Sequence, residues 1–393
     1  MNERDESLAL INGDVYPFAA PGRCSAVFVR GGRIERLGAD ADVLALCGRH
    51  TEVLDLRGCT VLPGFIAAVD LSAEERARPD FVRRLRESGL TFVRGDAAVG
   101  GDEFAPSQRW GRGEAEIAFA PGLVARSTEE AAEALRVLSD MPHGLGTLRL
   151  VLDGAIRDRT AALAADYADS PGIFGNPRFS RDAVLAVAFE ARKAGIALVF
   201  QAEGDAAVEL ALAAAEAAGP AARWGIAGCG MPSAGQFARI ARAALHVEAE
   251  PHRPGRDWPA ILPRLGTERA RLAFAWRTML RHRIELVTAS LSPAQPFAPL
   301  AGVAALISRR GDDGEPALGW MPSERLDRPE AFWAYTGGAA RAFGRFDERG
   351  TLEPGKAADM VVLMRNPFAV PAEEVAEVPV GMTIAGGRVV YIR

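Results

Sequence analysis

Short runs of apolar, often β-branched residues recur along the chain, and between them lie polar-faced segments bounded by cap residues. The runs predict strands and the segments predict helices. Near the N-terminus, Ala26-Val27-Phe28-Val29-Arg30 and Arg33-Ile34-Glu35-Arg36-Leu37 flank Gly31-Gly32. Gly-Gly tolerates the positive φ that a tight hairpin turn demands, so this stretch predicts a β-hairpin. The C-terminus repeats the pattern, with Met382-Thr383-Ile384-Ala385 and Arg388-Val389-Val390-Tyr391 around Gly386-Gly387. Two hairpin-rich ends of one chain can pair into one small β-sandwich, here residues 1–60 with 346–393. Residues 61–345 then form a separate unit.

That interior alternates between the two element types. Ser127-Thr128-Glu129-Glu130 reads as a capping box, Ser180 as the cap of a helix closed by Gly195, and Asp205 as the cap of an alanine-rich helix closed by Gly219-Pro220. Strands are expected over Leu62–Asp70, Leu90–Arg94, Glu116–Val124, Leu148–Asp153, Ile196–Phe200, Arg223–Ala227, Ala244–Glu248 and Ile284–Thr288. Their apolar character suits strands buried on both faces of a parallel sheet. Eight strands with helices between them predict an α/β fold, the (β/α)₈ barrel.

Composition narrows the chemistry. With 49% hydrophobic and 25% charged residues the chain reads as an ordinary globular protein, and a net charge of −5 argues against nucleic-acid binding driven by basic charge. Four cysteines without C-x-x-C spacing read as buried thiols of a reducing compartment. No secretory h-region or long apolar run is visible, which makes a cytoplasmic location, away from membranes, the expectation. No cofactor fingerprint, phosphate loop or nucleophile elbow is present. Most telling, the chain holds five histidines and only two lysines, Lys193 and Lys356, so a metal site has few residues to draw on.

Val61-Leu62-Pro63-Gly64-Phe65-Ile66 strongly resembles the amidohydrolase superfamily, in which this stretch leads from the sandwich into the first barrel strand. The run from Gly350 to Leu363 resembles that family's return into the sandwich. Asp153-Gly154 with Arg159-Thr160-Ala161-Ala162-Leu163, and Gly204-Asp205-Ala206-Ala207-Val208, are similar to amidohydrolase family 3, the group that contains the N-substituted formamide deformylases. The resemblance implies a barrel, a composite sandwich and hydrolysis of C–N bonds by water activated on a divalent metal. It also implies ligands: a His-x-His pair on strand one, a carboxylated lysine on strand four, histidines on strands five and six, and an aspartate on strand eight. The matching positions here are Val69 and Leu71, Arg149, Gln201, Gly228 and Leu291. Valine, leucine and glycine offer no side-chain donor, and arginine stays protonated and forms no carbamate. The expectation is a divergent member without the metal centre, acting as a pseudoenzyme, a binding protein or a partner subunit. A metal-independent enzyme for an amide- or carboxylate-bearing molecule, and a C–N hydrolase with relocated metal ligands, are the alternatives.

The remaining polar residues supply candidate roles. Arg149, Asp153, Gln201 and Glu203 share strand parity and can face the barrel interior, and a buried Arg149 should pair with Glu203 or Asp153. Asp70, between Val69 and Leu71, should then point away from the axis. Asp153, Glu203 and His252 are the candidate catalytic groups, and Arg149, Gln201, Glu250 and Trp224 the candidate ligand contacts. A small-molecule ligand, and a homo-oligomer or protein partner, are the expected associations.

Overall fold

Eight parallel strands close on themselves in a computed structural model of the chain, which describes residues 7–19, 22–70, 80–99, 117–141, 146–219, 223–290 and 298–393. The barrel strands are β1 (Phe65–Asp70), β2 (Leu90–Ala98), β3 (Ala118–Ala125), β4 (Thr147–Val151), β5 (Ala197–Gly204), β6 (Gly225–Met231), β7 (His246–Ala249) and β8 (Leu286–Ser290). They pair in chain order, and β8 returns to β1 through Ala289 opposite Ala68 and Ser290 opposite Val69. Each lies within a few residues of a run read from the sequence. The reason is burial on both faces: Thr147-Leu148-Arg149-Leu150-Val151 is buried at every position.

The intervening helices follow their cap signals with one exception. Ser127 Oγ accepts the Glu130 N–H at 3.2 Å, and Ser180 Oγ accepts the Ala183 N–H at 3.2 Å. The helix after Ser180 spans Arg181–Ala194 and ends at Gly195 with φ +68°. Asp205 is not a cap. It is the first helical residue of Asp205–Ala218, and its carboxylate instead accepts the Ala164 N–H at 2.9 Å, tying the β4 loop to the end of β5.

The two chain ends build the sandwich. Arg33–Gly38, Ala26–Arg30, Ser7–Ile11 and Thr51–Asp55 form one sheet in that order. Arg388–Ile392, Val380–Ala385, Met360–Leu363, Thr60–Pro63 and Asp14–Val15 form the other. Leu8, Leu10, Val27, Val61, Met360 and Ile384 pack between them. Thr60–Pro63, divided at 60/61 by the sequence reading, pairs wholly within the five-stranded sheet opposite Met360–Leu363. The chain turns into the barrel at Gly64, where a Cβ would lie 2.3 Å from Thr91 Oγ1. The four cysteines are free, but only Cys229 is buried; Cys24, Cys47 and Cys59 are half-buried at the sandwich, contrary to expectation. Among the described residues no helix is long and apolar enough to cross a membrane.

Both Gly-Gly turns form, and they touch. Gly31 and Gly32 have φ +55° and +75°, and Gly386 and Gly387 have φ +55° and +78°. A Cβ on Gly32 would sit 2.7 Å from the Gly386 carbonyl oxygen. Ala358, from the neighbouring strand approach, donates its N–H to Gly32 O at 2.9 Å and accepts from Gly387 N–H at 3.0 Å. Gly32→Ala therefore meets both a backbone clash and an unfavourable φ, at about 1–3 kcal/mol. The expected result is a lower urea midpoint with an unchanged slope; an unchanged midpoint would show that the two turns do not lock the chain ends together.

Candidate ligand-binding site

The direction of each inward side chain follows from one contact. Arg94 on β2 and Glu248 on β7 meet although β1 and β8 separate their strands, so they cross the barrel axis. Strand alternation and register then assign the inner face. Asp70 stands opposite Asp96, and Asp96 opposite Gly122; Val124 stands opposite Arg149, and Val151 opposite Gln201. Asp70 thus faces inward and Val69 outward, the reverse of the expected parity. Val69 packs in the apolar layer with Phe81, Leu85 and Leu90. The outward set Phe65, Ala67 and Val69 is the one that covers the barrel wall, leaving Asp70 to the interior.

A buried ion cluster plugs the lower barrel. Arg94 Nε and Nη2 donate to the two oxygens of Asp96 at 3.0 and 2.8 Å. Its Nη2 also donates to Glu248 Oε2 at 2.8 Å, and Nη1 donates to Glu248 Oε1. His246 Nε2 lies 3.2 Å from Glu248 Oε1. Arg94, Asp96 and Glu248 are each at most 2% exposed. Burial alone would raise the Glu248 carboxyl, but the Arg94 charge and its hydrogen bonds, with help from His246, hold it well below the usual carboxylate range. Space for the plug comes from β3: a Cβ on Gly122 would fall 1.9 Å from Asp96 Oδ1.

Above the plug the strand ends open into a cavity of about 370 Å³ lined by Arg149, Asp153, Gln201, Glu203 and Glu250 among others. Arg149 does not pair with Glu203 or Asp153. Its Nε is 3.6 Å from Asp96 Oδ2 and its Nη2 is 3.7 Å from Asp70 Oδ2. Both distances are too long for hydrogen bonds, and Nε and Nη1 are buried without any hydrogen-bond partner.

The expected partners are taken by other groups. Asp153 accepts three backbone N–H groups, from Ala162 at 2.9 Å, Glu203 at 2.8 Å and Gly204 at 2.9 Å. Burial pushes its carboxyl up to about 7 against the pull of those donors. Glu203 is gripped by Arg253, whose Nη1 donates to Oε2 at 2.6 Å and whose Nη2 donates to Oε1. Burial raises the Glu203 carboxyl and Arg253 opposes it. Arg253 Nε also donates to Asp257 Oδ2 at 3.0 Å. Arg253 directly follows Glu250-Pro251-His252 in the chain, and the i,i+4 spacing to Asp257 at the start of a helix is its signal in the sequence. Glycine again makes the room, since a Cβ on Gly230 would lie 2.4 Å from the Glu203 carboxyl carbon.

Two candidates fall outside the cavity. His252 lines a separate small gap with Val69, Leu90, Thr288 and Tyr335, and burial lowers its pKa. Trp224 is buried below, its Nε1 donating to Ile196 O at 3.2 Å and its ring set edge-on to Phe200. Gln201 and Gly228 do line the cavity. Leu71 and Leu291 lie outside the described residues.

Among the described positions at which the resemblance implies metal ligands, three carry no donor for a divalent cation. Arg149 places a permanent positive charge at the lysine position, Val69 faces the wall, and Gly228 offers no side chain. Among the described residues no group of three or more His, Cys, Asp or Glu side chains is arranged to hold a metal ion.

Comparison with known proteins places this geometry in context. The sequence profile of the Amidohydrolase family matches residues 67–391. The putative amidohydrolase YtcJ of Bacillus subtilis (strain 168) is 29% identical over 261 residues, covering 66% of this chain and 49% of that protein. An N-substituted formamide deformylase of Arthrobacter pascens is 28% identical over 223 residues, covering 55% and 40%. The chain thus spans about half the length, or less, of these curated relatives. In fold it is similar to an uncharacterized metal-dependent hydrolase from Pyrococcus furiosus, with TM-score 0.75 and 21% identity over 92% of this chain and 100% of the other. A Xaa-Pro dipeptidase with bound methionine in the active site gives TM-score 0.70 and 14% identity over 99% and 100%.

The plug makes a pH-dependent prediction. Arg94→Met leaves Asp96 and Glu248 as buried carboxylates without their cation, at a cost of about 3–5 kcal/mol at pH 7. In the native protein the lowered Glu248 pKa contributes stability above the unfolded value of about 4.3, which is lost as pH falls through the folded value. In the variant that carboxyl is raised by burial instead, so protonation relieves it and the deficit should shrink from pH 7 to pH 5. Urea unfolding followed by circular dichroism at both pH values measures this; a deficit that does not change with pH would contradict it.

Proposed function

The chain belongs to the amidohydrolase family, and we propose that this member binds an anionic, carboxylate- or amide-bearing small molecule in a metal-free barrel instead of hydrolysing it on a metal. The observation that carries this reading is Arg149. A guanidinium 1% exposed, with two N–H-bearing atoms lacking hydrogen bonds, stands at the floor of a cavity large enough for a small organic molecule. Each unsatisfied buried donor costs about 1–3 kcal/mol, so this guanidinium is short of acceptors. An arginine presents a fixed fork of donors suited to a carboxylate, and a charge-assisted bond of this kind is stronger than a neutral one. Gln201, level with Val151 on the adjoining strand, adds an amide that can donate or accept beside it.

The groups that hydrolysis would need are otherwise engaged. Both oxygens of Glu203 are held by Arg253, and both oxygens of Asp153 by backbone N–H groups. A site with relocated metal ligands would need Glu203, Glu250 and His252 together, yet His252 lines a different pocket. One observation favours a second reading, metal-independent catalysis: the Asp153 carboxyl, at about 7, lies where a general acid or base works best. The names of the relatives also point to hydrolysis of C–N bonds, which is the activity to test against.

Protein purified without chelators should contain far less than one transition-metal ion per chain by elemental analysis and should not hydrolyse N-formyl or N-acyl amides when zinc is added. Hexanoate, a plain monocarboxylate, should bind by calorimetry, and Arg149→Met should weaken it about tenfold, or ~1.4 kcal/mol. Arg149→Lys, which keeps the charge, controls for folding. Stoichiometric metal with zinc-dependent turnover would overturn the proposal. Turnover without metal that vanishes in Asp153→Asn would establish the second reading instead.

A further inference from the structure

We infer that the ligand of this cavity carries two anionic groups, one met by Arg149 at the floor and the other by Arg126 and Arg178 at the rim. The inference rests on the binding reading above and adds the charge and length of the molecule. It follows from matching the charges that line the cavity.

The acidic groups are already answered: Asp70 lies 3.7 Å from Arg149, Asp158 3.4 Å from Arg157 and Glu250 3.4 Å from Arg253. Asp153 takes its three backbone donors, and Glu203 takes Arg253. Asp257 takes Arg253, Arg256 and Arg157 at 3.0, 2.8 and 3.5 Å. Those three arginines are thereby answered as well. What remains is cationic. Arg149 keeps two donors without hydrogen bonds. Arg126 and Arg178 line the same cavity, are exposed, and have no carboxylate within ion-pair distance among the described residues. The Glu130 carboxylate approaches Arg126, but it accepts the backbone N–H and not the guanidinium.

Register places these cations at two heights. Val124 is opposite Arg149, so Arg126 lies two residues farther toward the strand C-termini on the same inward face. That step is about 6.6 Å along the strand. Arg178 is anchored at the same height from the other direction, its N–H donating to Leu152 O at 2.7 Å just past the end of β4. One buried cation thus lies below two exposed ones, at a separation that a dicarboxylate with a few methylenes between its acid groups can span. A monocarboxylate would leave the rim pair unanswered.

Calorimetric titration of adipate against hexanoate, which share a six-carbon chain, tests this on the 393-residue chain. Adipate should bind about tenfold more tightly at low salt, and the preference should fall as ionic strength rises, because the rim cations are solvent-exposed. The Arg126→Gln/Arg178→Gln double variant should lose the preference and bind adipate and hexanoate with equal affinity, with thermal stability unchanged. Equal affinities for adipate and hexanoate in the native protein would overturn this inference and leave the binding proposal standing. A preference that survives in the double variant would overturn the assignment to Arg126 and Arg178. Binding of neither acid would overturn both readings.

Discussion

The Arg94 guanidinium, held between two carboxylates on the barrel axis, is the contact on which the rest of the interior depends. It joins β2 to β7 across the closed sheet and does so where no side chain of the three is more than 2% exposed. Charges taken so far from water are tolerable only with good geometry and nearly complete hydrogen bonding, and Arg94 achieves both through its two-sided fork. Its demands reach into neighbouring strands. β3 must carry glycine at 122 to leave room for Asp96, and β7 must bring His246 and Glu248 to the same face. A barrel usually fills its axis with branched apolar side chains; here the layer of Arg94, Asp96 and Glu248 shares the axis with inward apolar residues such as Ile66, Ala68, Phe92 and Val287.

That arrangement decides the chemistry above it. Asp96 is committed to Arg94, so it can offer Arg149 only a long ion pair, and Asp70 offers another. Arg149 is therefore electrically supported but left short of hydrogen bonds. The helix after β7 meanwhile sends Arg253 across to Glu203, and the loop after β4 folds its backbone onto Asp153. Asp153 and Glu203 are each held by neighbours, while Nε and Nη1 of Arg149 are buried without hydrogen bonds. On this scaffold the floor pairs two arginines, Arg94 and Arg149, with three carboxylates, Asp70, Asp96 and Glu248. The barrel is held by strand pairing, whereas activity on such a scaffold rests on a handful of inward side chains.

Much of the fold is legible in the linear chain. Apolar runs such as Leu148–Val151 mark strands buried on both faces, Ser180 and Gly195 bound a helix, and paired glycines locate two hairpin turns. These signals are local, and local sterics and burial enforce them. Asp205 shows where locality ends: a good cap residue in a good cap position is drawn to a distant N–H, and the helix begins on it. The site was only partly legible. The residue types at the positions where the resemblance implies metal ligands, Val69, Arg149, Gln201 and Gly228, are readable one by one. The direction of Asp70 is not, because a one-residue change of parity inverts a strand's two faces.

The sequence alone determined which elements exist, which ends of the chain join and which chemical groups are available, since these depend on residue type and near neighbours. Only the tertiary structure decided who meets whom. Arg94 and Glu248 are 154 positions apart, and Arg253 and Glu203 are 50 apart. Such pairings are set by how many strands the sheet needs to close and by how register carries each face around the barrel. Electrostatic partnership in a buried site is a property of that closure, and it is closure that left Arg149 without the acid its sequence neighbours seemed to offer.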